Sequence, residues 1–105
     1  MSDFYFHVGT KLGVRMRVTA TYWNFIITAK HTIMKGREND VKDALEEPDE
    51  IRRSIRDRTV FLYYKQVKDR FIAVVCKHIN GEGYIITTYI TDRIKIGEQI
   101  WKRQR

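Results

Sequence analysis

From Ile51 onward, apolar and polar side chains alternate with a period of two in the runs IRRSI (51–55), VFLYYKQV (60–67), RFIAVVCKHI (70–79) and GYIITTYIT (83–91). Such alternation turns successive side chains to opposite faces of a strand. The connections RDRT, KD and NGEG are short enough to join antiparallel neighbours. A four-stranded meander is therefore predicted. Two shorter alternating segments, FYFHV (4–8) and VRMRVT (14–19), flank GTKLG and predict an N-terminal hairpin.

Between these regions the apolar spacing lengthens. Tyr22, Phe25, Ile26 and Ala29 recur at steps of three and four, which predicts a helix capped by Thr19 or Thr21 and running to about Lys30, with His31 at its end. A second helix is predicted from Glu38 to Glu47, with Val41, Ala44 and Leu45 on one stripe and Pro48 as its stop. The order β-β-α-α-β-β-β-β predicts an α+β fold: the hairpin and two helices packed on a four-stranded antiparallel sheet, as one domain over residues 1–105. The tail WKRQR reads either as frayed or as a source of phosphate contacts.

Charge sharpens this picture. The chain carries +7 overall, but seven of its 13 acidic residues and one of its 20 basic ones lie between Glu38 and Glu50. The rest therefore holds 19 basic residues against 6 acidic ones. One acidic helix rides on a basic body, and a basic body attracts polyanions through phosphate contacts. The acidic helix reads as a soluble scaffold or as a surface for a protein partner.

No apolar run approaches the roughly 18 residues that span a bilayer. The N terminus lacks the basic and apolar regions of a secretory signal. A single cysteine, Cys76, permits neither an intrachain disulfide nor a thiolate metal cage. A cytoplasmic protein without membrane attachment is expected.

The run GYIITTYIT poses a chemical question. Strand parity sets Ile86, Thr88 and Ile90 on one face and Thr87, Tyr89 and Thr91 on the other, and the more apolar set is expected to meet the helices. A polar face of hydroxyls, rings and cations suits phosphate chemistry on RNA: cations neutralise a pentacoordinate phosphorane, hydroxyls bind its oxygens, and rings stack on unpaired bases. Thr and Tyr are equally ordinary strand formers. Histidine, with an ordinary pKa near 6.5, is the natural proton-transfer group. His31 stands among Lys30, Lys35 and Arg37, His78 lies at a strand end, and His7 has no such company. Neither Gly-rich phosphate-loop spacing nor metal-ligand spacing occurs.

Taken in order, His31 at the end of the first helix, VKDALEEPDEIRRS, VFLYYK and VVCKHINGEGYIITTYITDRIKIGEQIW resemble the small phage- and cyanobacteria-associated members of the barnase, EndoU, colicin and RelE nuclease superfamily, over about Trp23 to Trp101. The resemblance implies a metal-independent endoribonuclease without cofactor. It would be a toxin or defence effector that cuts RNA by attack of a 2′-hydroxyl to leave a 2′,3′-cyclic phosphate, and a cognate antitoxin or immunity protein would be a further partner.

On this resemblance His31 is the general base or acid, Arg53 and Lys77 stabilise the phosphorane, and Thr87 and Tyr89 position the phosphate or assist proton transfer. Arg52, Arg56, Tyr63 and Lys65 are expected to hold RNA. Two alternatives stay open: Arg53 shares its parity with Ile51 and Ile55, which leaves Arg52 and Arg56 as possible working cations, and His78 competes as a proton-transfer group. A non-catalytic RNA- or ribosome-binding module would use the same face.

Overall fold

Thr19 ends a strand and begins a helix, because its side-chain oxygen accepts the amide of Tyr22 at 3.1 Å and so satisfies one of the helix's orphan donors. In the computed structural model, which describes residues 4–104, a hairpin of β1 (Phe4–Gly9) and β2 (Arg15–Thr19) leads into α1 (Ala20–Phe25). A π-helical turn, Ile26–Lys30, continues α1, and the His31 amide donates to the Ile26 carbonyl at 2.7 Å. A single 3₁₀ turn, Thr32–Met34, precedes α2 (Glu38–Glu46).

The remaining strands are β3 (Glu50–Arg53), β4 (Val60–Val67), β5 (Arg70–Ile79), β6 (Glu82–Thr91) and β7 (Glu98–Lys102). Lys68 and the Asn80-Gly81 pair take positive φ in the β4–β5 and β5–β6 connections, as tight hairpins require.

The α+β class stands, but the sheet is larger than a four-stranded meander. It has seven strands in the order β1-β2-β6-β5-β4-β3-β7. Alternation within each segment carries no information about which segments pair, and two pairings were missed for that reason. The N-terminal hairpin joins the meander through a parallel pairing of Arg15–Arg17 with Glu82–Tyr84. Residues Glu98–Lys102, which include the first two of the WKRQR tail, pair with β3 as β7, and Arg103 extends the contact to Asp49 at 3.2 Å; Arg105 lies outside the described residues.

Helix α2 buries Val41, Ala44 and Leu45 against the sheet, within a core that includes Met16, Val18, Trp23, Ile51, Tyr63, Ile72, Val74, Cys76 and Ile85. Three of its acids are engaged: Glu38 accepts from Tyr5, Asp40 pairs with Arg37 and Asp43 with Lys65; Glu47, just beyond the helix, pairs with Arg103. Among the described residues no helix is long and apolar enough to cross a membrane.

The opposite face of the sheet carries a second apolar cluster of Leu62, Tyr64 and Ala73, against which Val60, Phe71, Val75, Tyr89 and Ile94 pack. The segment 92–97 between β6 and β7 crosses this face. Its Lys95 amide donates to the Tyr64 hydroxyl at 3.1 Å, and Arg52 donates to the Gly97 carbonyl at 3.2 Å. Gly97 is required at that crossing, since a Cβ there would stand 2.8 Å from the Arg53 carbonyl oxygen.

Candidate functional site

Strand β6 does not alternate without interruption. Thr87 pairs with Val75 but Ile85 pairs with Cys76, so Ile86 is an extra residue, a bulge that resets which side chains face the core. Ile85, not Ile86, takes the core position and is 1% exposed, while Thr88 remains buried and donates to the Ala73 carbonyl at 2.8 Å. The bulge is held from outside by Tyr22, whose hydroxyl donates to the Ile86 carbonyl at 2.6 Å. Beyond it Thr87 and Tyr89 point away from α2, as parity predicted for them. Tyr84, opposite Lys77, lies on that same side.

Parallel pairing with β2 ends at Tyr84, so the outer edge of β6 beyond it is bordered by the turns that follow α1. This places His31 against the strand. Its ring centroid lies 5.5 Å from that of Tyr89, with the planes tilted by 41°. The Lys95 ammonium stands 5.7 Å from the Tyr89 ring centroid. An imidazole and an ammonium from two other segments thus each lie within 6 Å of the Tyr89 ring centroid.

One further oxygen, from Thr87, lies two residues before Tyr89 on the same face. The Thr87 Oγ1 and the Tyr89 hydroxyl are enclosed and have no hydrogen-bond partner in the protein. An unsatisfied buried hydroxyl costs on the order of 1–3 kcal/mol, and such groups call for an explanation beyond folding. Burial pushes the Tyr89 phenol up to about 12, with the neighbouring Tyr64 phenol adding to the shift. The two phenols feel each other, but the Tyr89 oxygen makes no hydrogen bond of good geometry. At neutral pH Tyr89 is therefore a donor and not a base. Both oxygens are covered, so any ligand reaches them only after a local rearrangement.

The other predicted residues divide by face. Lys77 shares the face of Thr87, with its ammonium 3.8 Å from Asp57. Arg52 is also on this face and is tied to the buried Glu50 at 2.5 Å. Arg56 is exposed and lines a groove of about 520 Å³ with Lys95, Ile96, Ile55, Val60 and Val75.

Arg53, Tyr63 and Lys65 lie on the α2 side, because Arg53 pairs with Phe61 and Ile51 with Tyr63, the row that fills the main core. Arg53 binds Glu98 at 2.5 Å, and Lys65 donates to the Glu47 carbonyl at 2.8 Å. Tyr63 is fully buried, so its ring offers no surface to a base. These three are not brought to the His31 group.

His78 is likewise on the α2 side. It stacks on Phe61 with centroids 3.9 Å apart, and its Nε2 lies 3.2 Å from the Tyr63 hydroxyl, which donates to Thr10 at 3.0 Å. Burial lowers its pKa to about 4. The two histidines that the sequence left as rivals therefore occupy opposite faces of the sheet.

Lys95 was the residue missed by sequence reasoning. It lies outside every alternating segment, in RIKIG, where one lysine among many basic residues carries no positional signal. Among the described residues no cluster of three His, Cys, Asp or Glu side chains is placed to hold a metal ion. No family model, curated protein or solved structure matches the chain.

Proposed function

We propose that the chain is a metal-independent RNA endonuclease, a cytoplasmic toxin or defence effector of the barnase, EndoU, colicin and RelE type, with a cognate antitoxin or immunity protein as a further partner. The observation that carries this reading is the meeting of His31 with Tyr89, 5.5 Å apart between ring centroids, beside the unpartnered hydroxyls of Tyr89 and Thr87. In this reading a neutral His31 takes the proton of a ribose 2′-hydroxyl. The freed oxygen bonds to the adjacent phosphorus, the bond from phosphorus to the 5′-oxygen breaks, and water protonates the leaving oxygen.

The extra negative charge of the phosphorane is met by the Lys95 ammonium and by hydrogen bonds from Tyr89 and Thr87, donors that strengthen as charge develops. Lys77 adds a positive charge on the same face. The products are a 2′,3′-cyclic phosphate and a 5′-hydroxyl.

The purified chain is expected to cut single-stranded RNA in the presence of a chelator, leaving cyclic-phosphate ends. Replacing His31 with Ala should slow this by on the order of 10² or more, the usual loss for a general acid–base group. Cleavage that survives in the His31→Ala variant at the wild-type rate removes His31 from the mechanism.

A second reading, a non-catalytic RNA-binding module, is favoured by the enclosure of both hydroxyl oxygens. It predicts salt-sensitive binding without turnover. Appearance of cyclic-phosphate ends in proportion to added protein excludes it.

A further inference from the structure

At the point where β2 and β6 part there is a cleft of about 410 Å³ lined by Phe4, Arg17, Thr19, Tyr22, Tyr84 and the edges of Val18 and Ile85. It is bordered by three aromatic rings, and two of them remain open to solvent: Phe4 at 42% and Tyr84 at 44% exposure. Arg17 adds a guanidinium 4.9 Å from the Phe4 ring centroid and paired with the Glu82 carboxylate. The Lys30 ammonium lies 5.8 Å from the Tyr22 ring centroid.

We propose that this cleft is a nucleobase-binding subsite, which takes one unpaired base of the RNA strand whose phosphate meets the His31–Tyr89 group. The proposal rests on the reading of that group as an RNA site. Three features favour a base over another flat or apolar occupant. Aromatic faces accept any base by stacking. The adjoining Arg17 and Glu82 supply donors and an acceptor suited to the edge of a base. The neighbouring Lys30 ammonium favours an occupant that arrives on a polyanion.

The geometry of β6 links the two places. The bulge at Ile86 puts Tyr84 and Thr87 on the same side of the sheet although they are three residues apart. At about 3.3 Å per residue their separation along the strand is roughly 10 Å. That is on the scale of one to two steps of an extended RNA chain, whose units are comparable in length to two residues of a strand. Without the bulge the cleft and the hydroxyls would face opposite sides of the sheet.

The test compares two probes of equal length and charge: a 2′-O-methyl oligoribonucleotide, which lacks the attacking hydroxyl and so cannot be cut, and a fully abasic sugar–phosphate chain. Wild-type protein is expected to bind the intact oligonucleotide about tenfold more tightly, and Tyr84→Ala is expected to abolish most of that preference while leaving abasic binding unchanged. Tyr84→Phe, which keeps the ring, should retain it. Equal binding of the two probes by wild type, or a preference that persists in Tyr84→Ala, overturns the proposal. Failure of the nuclease reading would show separately, as ordinary RNA left uncut by a protein that still prefers intact bases.

Discussion

The His31 imidazole and the Tyr89 phenol come from segments 58 positions apart and stand with ring centroids 5.5 Å apart. Their approach is possible because β6 loses its parallel neighbour after Tyr84, so that the turns after α1 border the strand edge. If this pair works on a phosphate, removing the Tyr89 hydroxyl should separate function from stability. Tyr89→Phe is expected to cut RNA about tenfold more slowly, the scale of one lost transition-state hydrogen bond. Since that hydroxyl is unpartnered, unfolding stability should be unchanged or raised by up to about 1 kcal/mol. Urea titration and cleavage assays on one preparation check both halves; a loss of stability without loss of rate contradicts the assignment.

Lys95 and Arg53 offer a test of which face of the sheet is used. Lys95 stands over the Tyr89 ring, whereas Arg53 lies on the α2 side, bound to Glu98. Lys95→Gln should reduce cleavage by about tenfold and flatten the salt dependence of RNA binding. Arg53→Gln should leave the rate near wild type. The reverse ranking of the two rates moves the site to the other face.

The bulge can be probed through its external clamp. Tyr22→Phe deletes the donor to the Ile86 carbonyl, a bond of 2.6 Å, and should cost about 1 kcal/mol. Because that bond holds the bulged residue next to Thr87, cleavage should fall by more than the stability loss explains. Wild-type kinetics in a measurably destabilised Tyr22→Phe protein would show that the bulge does not need this clamp.

His78 makes stability depend on pH. Burial lowers its folded pKa to about 4, below the ordinary value near 6.5, so the unfolded chain binds more protons between these limits. The His78 contribution is fully present above pH 6.5 and is lost as pH falls towards 4. The half-buried ring is partly screened, which reduces the effect to on the order of 1–2 kcal/mol. Urea midpoints of wild type and His78→Gln at pH 7 and pH 4.5 check this. The variant should lose less stability on acidification, and equal losses would assign the acid sensitivity elsewhere.

Much of the local structure was legible in the sequence. Period-two runs marked β4, β5 and β6, the apolar stripe of Val41, Ala44 and Leu45 marked α2, and the start of α1 was narrowed to Thr19 or Thr21, of which Thr19 is the cap, because each is set by a side chain's relation to neighbours a few residues away. Parity was legible too, up to the bulge. It put Thr87 and Tyr89 on the face away from the helices and left Arg52 or Arg53 as an explicit choice.

Tertiary structure decided what depends on distant partners. The parallel pairing of β2 with β6, the recruitment of the tail as β7 beside β3, and the crossing of Lys95 over the second face all join segments far apart in sequence, where alternation is silent about pairing. The bulge at Ile86 likewise exists only in the register between β5 and β6. Residue types fixed which side chains were available for chemistry; chain-distant backbone hydrogen bonds and burial chose which of them meet, bringing His31 and Lys95 to the Tyr89 ring, with Thr87 on the same face, and turning Arg53, Tyr63 and Lys65 to the other side.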